Sequence, residues 1–485
     1  MKQYNFFKIA VLSSILLIGT TGCEDFLTKD HPTATTDDKF WKTMNECENA
    51  LGQCRSWPKA GHGGDDLSFV CMEGMTDNMY FLSNFEQRIV MMGNGSLVPP
   101  TSNNSPSSWE STFWTWRYYY QKIRRCCRFL EHVDAAYFSD ESERTRMKVE
   151  ARTWRAWYHF NLAMKMDINL QFKKYDLAKA AAKRLIDSRA FELYYDTESE
   201  PSDLSANYRN LFTYKGEQNK ERIFFTKDGA NDIWFRNMGT PLGGQGCAAP
   251  LKSLLDTYET IDGKTIQSLP ASERQQYEKN PLYKPRDPRL AATYILPGDN
   301  SSISNYTYTP FDPGSSDYVG KTGASRSGYM LKKFIDENDR STGYGSLDFP
   351  LYRYAEVLLD YVECLVETGD WQNPDVETYI NMIRHRAGLP AMDKSVYNTQ
   401  EKVRELYRRE RRVELCFENK RYDDIRRWGI GTETMSGPIY GAWNPNDEAF
   451  VLIETRACVF PKYDSWPLPQ QEETANSNIK QPTGW

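Results

Sequence analysis

Residues 404–429, RELYRRERRVELCFENKRYDDIRRWG, hold nine Arg or Lys and six Asp or Glu in one apparent helix pair. Such a run can do one of two things. Guanidinium groups left open to solvent make a polyanion-binding surface. Guanidinium groups matched to carboxylates make a structural brace. Glu405 and Arg409 are four apart, as are Glu414 and Glu418, so attractive and repulsive pairs mix on the helix itself. The excess arginines must therefore find carboxylates elsewhere, and neighbouring helices are expected to supply them. The overall charge of −6 also argues against polyanionic partners, nucleic acid included.

Other chemistry finds little support. A glycoside hydrolase needs two carboxylates flanking a cleft, and no acid sits in a motif that singles it out. Asp65-Asp66, after a Gly/His loop, is the one curious pair and reads as a solvated turn. There is no G-x-S-x-G elbow and no H-E-x-x-H. The loop Gly239–Gly246, GTPLGGQG, lacks the order of a phosphate cradle. No D-x-D-x-D-G calcium loop occurs. With no C-x-x-C and five His, a zinc site is not expected. The chain is expected to be neither an enzyme nor a cofactor carrier. What stands out is 14% aromatic residues, with 30 Tyr and 13 Trp. Their flat apolar faces and polar tips suit amphipathic ligands.

The elements that would position such residues can be read along the chain. Lys2 and Lys8 precede the apolar run Ile9–Gly19, which is too short to span a bilayer, and then Thr20-Thr21-Gly22-Cys23. This resembles a bacterial lipoprotein signal: residues 1–22 are cleaved and Cys23 is acylated, anchoring the chain to a membrane. Removing residues 1–22 takes away Lys2 and Lys8 and no acids, so the charge of −6 becomes −8. Of ten Cys, nine then remain, an odd number that forbids complete pairing. Cys47 and Cys54 could pair; Cys364 and Cys416 read as buried thiols. Helices are expected over Thr36–Leu51, Trp109–Val133, Lys148–Met166 and Tyr175–Arg189, then from Leu351 to Gly369, from Pro374 to Gly388, and over the charged run. Trp116 falls in a core register. Met92–Ser108 and Pro297–Gly328 read as loops, Arg222–Thr226 as β-like, and the last 55 residues as irregular coil wrapping the body. Small residues in Tyr175–Arg189 (Ala178, Ala181, Ala182) suit close helix pairs of tetratricopeptide type.

Together these segments resemble the SusD/RagB family of outer-membrane nutrient-binding lipoproteins. Cys23-Glu24-Asp25-Phe26-Leu27 looks like the family's mature start. Trp116, Tyr120 and Ile123 match its W-x-x-x-Y-x-x-I helix, and Glu150–Phe160, EARTWRAWYHF, its "EA…RA…Y" helix. Arg353–Leu359 (RYAEVLL), Asn381–Leu389 (NMIRHRAGL) and Arg409–Gly429 (ERR, EL, FE, RYDDIRRWG in order) are close to its C-terminal consensus. The family's Gly-x-x-Pro turn and further repeat after the "RA…Y" helix are not matched, because Met166–Phe172 runs almost directly into Tyr175–Arg189.

The resemblance implies a mostly α fold of tetratricopeptide-like helical repeats, few short strands and a loop-rich ligand-binding face. The implied division is a signal peptide over 1–22, a helical-repeat region over 23–200 and a C-terminal region over 201–485. That last region would hold long loops (201–345), helices (350–429) and an irregular tail. It further implies a lipid-anchored protein of the outer membrane and cell surface that captures an oligosaccharide. Its partner would be a SusC-like TonB-dependent β-barrel transporter. The alternatives are a peptide-binding member of the same uptake system and, more remotely, a glycoside hydrolase. An aromatic plane can cover the C–H face of a pyranose ring, contributing ~1–2 kcal/mol per ring, with hydroxyls bonded at the rim. By position in loops, the candidate ligand-binding residues are Trp109, Trp234 (beside Asn231, Asp232 and Arg236), Tyr306, Tyr308 and Tyr318.

Overall fold

A computed structural model describes residues 40–55, 69–82, 87–98, 110–166, 174–200, 202–226, 232–468 and 470–485. Cys23, Asp65-Asp66, Trp109 and the 167–173 junction lie outside the described residues. The chain is helix-rich, and its strands form two-stranded antiparallel pairs. Two compact units are distinguished. One takes Met1–Arg55 with Tyr120–Tyr158; the other takes Ser56–Tyr119 with His159–Trp485. Neither unit is a single segment of chain.

In the smaller unit, the Met44–Cys54 helix starts at Thr43, later than Thr36–Leu51 suggested. A capping box fixes it: Glu46 N–H donates to Thr43 Oγ1 and Thr43 N–H to Glu46 Oε2. Its C-terminus is tied by Lys122, whose ammonium donates to the Gln53 and Arg55 carbonyls at 3.0 and 2.8 Å. Cys47 and Cys54 are free, buried thiols. The pairing that spacing allowed is ruled out, because seven residues along one helix separate them by about 10 Å.

The larger unit is built around four helices: Tyr175–Ser188, Tyr354–Glu367, Pro374–Arg386 and Gln400–Glu414. Leu358, Val362 and Leu365 of the second pack with Ile380 and Ile383 of the third and Val403 and Leu406 of the fourth. Boundary chemistry placed these helices. Asn373 accepts from Asp375 N–H ahead of Pro374, and Thr399 accepts from Lys402 N–H. Gly369, Gly388 and Gly429 take positive φ just past helix ends. The charged run breaks at Leu415–Lys420, where Phe417 and Asn419 also take positive φ, and resumes as Arg421–Trp428.

Arg222–Thr226 is a strand, paired with Phe349–Arg353. The tail departs from the irregular coil expected of it. Ser436–Asn444 and Ala449–Ala457 form an antiparallel hairpin whose register runs from Ser436 opposite Ala457 to Asn444 opposite Ala449. Gly437, Pro438 and Gly441 hide the strand pattern in the sequence. Pro297–Gly328 has no regular element but is closely hydrogen-bonded. Gly298 N–H donates to Tyr308 O and Tyr308 N–H to Asp299 O, and Lys321 closes a turn onto the Pro313 and Ser315 carbonyls.

Candidate functional site

Two regions could bind a ligand: the charged run and the aromatic loops. The charged run proves saturated from within. Arg353 donates to Glu221 (2.7 Å), Glu414 (2.6 Å) and both oxygens of Glu418 (2.7 and 2.8 Å). Arg386 bridges Glu221 and Glu414. Arg289 holds Asp287 (2.7 Å), Glu410 (2.9 Å) and Glu414 (3.1 Å). Arg384 joins Glu259 and Glu410, Arg409 holds Glu259, and Lys333 holds Glu418. Six cations thus meet six carboxylates, nearly all inaccessible to solvent. The rest of the run leans on one acidic stripe of the Tyr354–Glu367 helix. Arg404 and Arg408 reach Glu367, Arg411 reaches Asp360, Arg427 reaches Glu363 and Lys420 reaches Glu356. Asp77 takes Arg412 and Arg421. Neighbouring elements therefore supply the carboxylates, as the mixed-sign pattern required.

The electrostatics fit a brace. Burial pushes the Glu414 carboxyl up, but Arg386, Arg353 and Arg289 outweigh it and hold it well below the usual range. Glu363 is likewise brought down to about 2 by Arg427 against burial. A carboxylate so held is a poor proton donor, and burial keeps both of these from a substrate. Among the described residues, no group of three or more His, Cys, Asp or Glu could hold a metal ion.

The aromatic loops are different. Trp234 is 1% exposed, and its indole N–H donates to Leu242 O at 2.8 Å. Tyr308 is 0% exposed. Both offer no face to a ligand, so the sequence-based assignment of these two is corrected: they are anchors that pin their loops to the body. Tyr306 and Tyr318 are half-buried, and Tyr306 donates its hydroxyl to Asp317. Burial raises the Asp317 carboxyl.

The residue next to Trp234, Phe235, is only half-buried. Phe235 stacks on Tyr344, with ring centroids 5.9 Å apart and planes at 19°. Tyr344 is 59% exposed, with its ring at the surface. Backbone bonds fix the pair: Phe235 N–H donates to Gly343 O (3.1 Å), and Phe235 O accepts from Gln245 N–H (2.7 Å). Gly343 has φ +74, and a Cβ there would stand 3.3 Å from Phe235 Cβ, so glycine permits both the turn and the approach. Thr342 Oγ1 accepts from Tyr344 N–H and donates to Tyr344 O. Below, Tyr214 donates to Asp339 (2.9 Å) and accepts from Ser346 N–H (2.7 Å). The result is a preformed aromatic step with one open face, rimmed by hydroxyl and backbone groups. Such a surface suits the C–H face of a sugar. The sequence did carry a signal for Tyr344, since it sits between Gly343 and Gly345 in a loop.

A second aromatic cluster, Trp443 and Phe450 on the hairpin (5.2 Å, planes at 80°), is partly covered. Lys279 stands 4.4 Å over the Trp443 ring and Lys252 4.7 Å over Phe450.

The SusD family model matches residues 191–485. A curated relative, "SusD-like protein P2" of Formosa agariphila, is 30% identical over 202 residues, 40% of this chain and 36% of that protein. "SusD-like protein P25" of the same organism is 25% identical over 297 residues, 57% of this chain and 50% of that protein. The chain thus spans half or less of the length of these curated relatives. Among solved structures, a SusD-like carbohydrate-binding protein from Bacteroides fragilis NCTC 9343 superposes with a TM-score of 0.75 at 25% identity, covering 91% of this chain and 100% of that one. Surface glycan-binding protein A from Bacteroides thetaiotaomicron shares the fold, with a TM-score of 0.58 at 17% identity over 92% of this chain and 100% of that one.

Proposed function

The chain belongs to the SusD family, and we propose that it is a cell-surface glycan-binding lipoprotein that captures an oligosaccharide and delivers it to a SusC-like TonB-dependent transporter of the outer membrane. The observation that carries this reading is the Phe235–Tyr344 step: two rings stacked on each other, held by backbone bonds, with the Tyr344 face open. Burying one pyranose face there contributes ~1–2 kcal/mol, so useful affinity requires several sugar units or further contacts. The names of the relatives support carbohydrate as the ligand. The Cys23 signal supports anchorage, and Tyr306 and Tyr318, half-buried in the neighbouring long loop, stay in the candidate set with Trp109. Capture without turnover is the expected role, because the buried carboxylates are bound up by arginines. No helix among the described residues is long and apolar enough to cross a membrane.

A glycan array with the purified mature chain, run beside a hydrolysis assay on the bound glycans, tests the reading. Binding without product release is the expected result; steady release of shortened sugar would replace the carrier with a hydrolase. Co-purification from detergent extract should recover a large β-barrel protein, and recovery of the lipoprotein alone would remove the transporter from the proposal.

A further inference from the structure

Two thiols of the smaller unit are brought together by a clamp on the backbone. The Met44–Cys54 helix buries Cys47, Leu51 and Cys54 along one stripe. The Glu110–His132 helix buries Lys122, Cys126 and Phe129, spaced by four and three residues and so on one face. The Lys122 ammonium donates to the Gln53 and Arg55 carbonyls at 3.0 and 2.8 Å, and the Tyr158 hydroxyl donates to the Cys54 carbonyl between them at 2.5 Å. Arg125 adds a bond to Gln53 Oε1 at 3.4 Å. Three consecutive carbonyls are therefore held at the end of the first helix, two of them by the residue one turn ahead of Cys126. The Cys54 and Cys126 thiols are in hydrogen-bonding contact, and both are fully buried.

The two thiols are unlike. Contact with Cys126 holds the Cys54 thiol below its ordinary range against burial, and the Lys122 ammonium and Arg125 guanidinium add to the effect. The same contact, with burial, pushes the Cys126 thiol up. Cys54 is therefore the member of the pair that ionises first and attacks. Several other buried thiols are turned to oxygen acceptors. Cys416 donates to Val413 O at 3.2 Å, Cys458 to Gly93 O at 3.2 Å and Cys247 to Gln245 Oε1 at 3.8 Å. Cys47 is out of reach of Cys54, two turns away along one helix.

We propose that Cys54 and Cys126 close a disulfide once the chain is exported. The proposal rests on the export proposed above, because disulfides form and persist in oxidising compartments outside the cytosol. The oxidant is a disulfide donor: a dithiol oxidase of the periplasm, or oxidised glutathione in vitro. The Cys54 thiolate attacks one sulfur of the donor disulfide, which gives a mixed disulfide and releases one donor thiolate. That thiolate takes the Cys126 proton. The Cys126 sulfur then attacks the Cys54 sulfur and expels the second donor sulfur, which picks up the proton that Cys54 gave up. One S–S bond forms in the chain and one breaks in the donor, so two protein thiols are oxidised and the donor is reduced by two electrons. The cross-link staples the two helices and closes the loop from residue 54 to residue 126, which restricts the unfolded chain.

The test uses the mature chain with Cys23→Ser, sent to a bacterial periplasm behind a cleavable signal peptide so that export is supplied. Thiols are alkylated under denaturing conditions without reductant, and tryptic peptides are read by mass spectrometry. Peptide 43–55 should emerge joined to peptide 126–128, lighter by two hydrogens than the sum of the reduced pair, and reductant should separate them. Each peptide holds two cysteines, so variants assign the bond: Cys54→Ser or Cys126→Ser should abolish the link, and Cys47→Ser or Cys127→Ser should leave it. The parent's fragmentation spectrum gives the same assignment if a serine variant fails to fold. Chain purified under reductant and then treated with oxidised glutathione should acquire the same link. Alkylation of both Cys54 and Cys126 in the exported chain, a bond from either to another cysteine, or glutathione held unresolved on Cys54 would overturn the proposal. Glycan binding at Tyr344, measured on the oxidised and reduced chain, should be equal in both, which separates failure here from failure of the carrier reading.

Discussion

The buried charged lattice and the Phe235–Tyr344 step are both made of side chains that bind ligands in other proteins. They differ in where the partners come from. In the lattice every guanidinium has carboxylates from its own chain, and water is excluded. At the step, two rings satisfy each other on one side and leave the second side to solvent. The contrast teaches that a strong local signal, fifteen charges in 26 residues, reports on what the fold needs internally. A binding face is the weaker signal, because an open partner position leaves no pattern.

The sharpest way to break the contrast is to remove the lattice's centre. Glu414 touches Arg289, Arg353 and Arg386, all at most 1% exposed by side chain. Glu414→Gln leaves three buried guanidinium groups short of a carboxylate and should cost about 3–5 kcal/mol. Urea denaturation measures this, and unchanged stability would show that the lattice braces nothing. Sugar binding per folded molecule should persist.

The next test sets two aromatic neighbours against each other. Trp234→Ala should destabilise by about 3–5 kcal/mol, because it empties a packed site and frees the Leu242 carbonyl. Tyr344→Ala should change stability by no more than about 0.5 kcal/mol while weakening glycan binding roughly tenfold. Thermal melts and titration calorimetry on both variants decide it. If Trp234→Ala melts normally and Tyr344→Ala binds normally, the assignment of anchor and platform is reversed.

The sequence made some of this legible for physical reasons. Helices of the 350–429 region announced themselves through Pro374, Gly369, Gly388 and Gly429, whose backbone demands are local. The C-terminal motifs behind the family resemblance were legible because they are the lattice itself. RYAEVLL contributes Arg353, NMIRHRAGL contributes Arg384 and Arg386, and the last run contributes Glu410, Glu414 and Glu418. Which of Trp234 and Phe235 faces inward was not legible, because the single helical turn Ile233–Asn237 is too short to show a periodicity, and the indole bond to the Leu242 carbonyl decides. The Ser436–Ala457 hairpin was hidden for a related reason: exposed Tyr440 and Leu452 sit opposite each other, so apolar residues do not mark an inner face.

The smallest expected effect lies at the edge of the lattice, where two carboxylates four residues apart are driven in opposite directions. Asp77 is brought down to about 2, since Arg412 and Arg421 outweigh burial. Glu73 is pushed up to about 7, because burial dominates and its partners are chiefly neutral: Asn78 Nδ2 at 2.8 Å and Asn419 N–H at 3.1 Å. A lowered folded-state pKa gives stability that is present above about pH 4 and lost as pH falls toward 2. A raised one does the reverse: Glu73 costs nothing below about pH 4 and subtracts stability as pH rises through 7. Glu73→Gln keeps the neutral form at every pH. It should match the parent near pH 4 and exceed it above pH 7, read as a melting-temperature difference that opens between those limits. A difference of constant size across that range would mean that Glu73 has found a cation, and that the lattice extends one carboxylate further than its geometry shows.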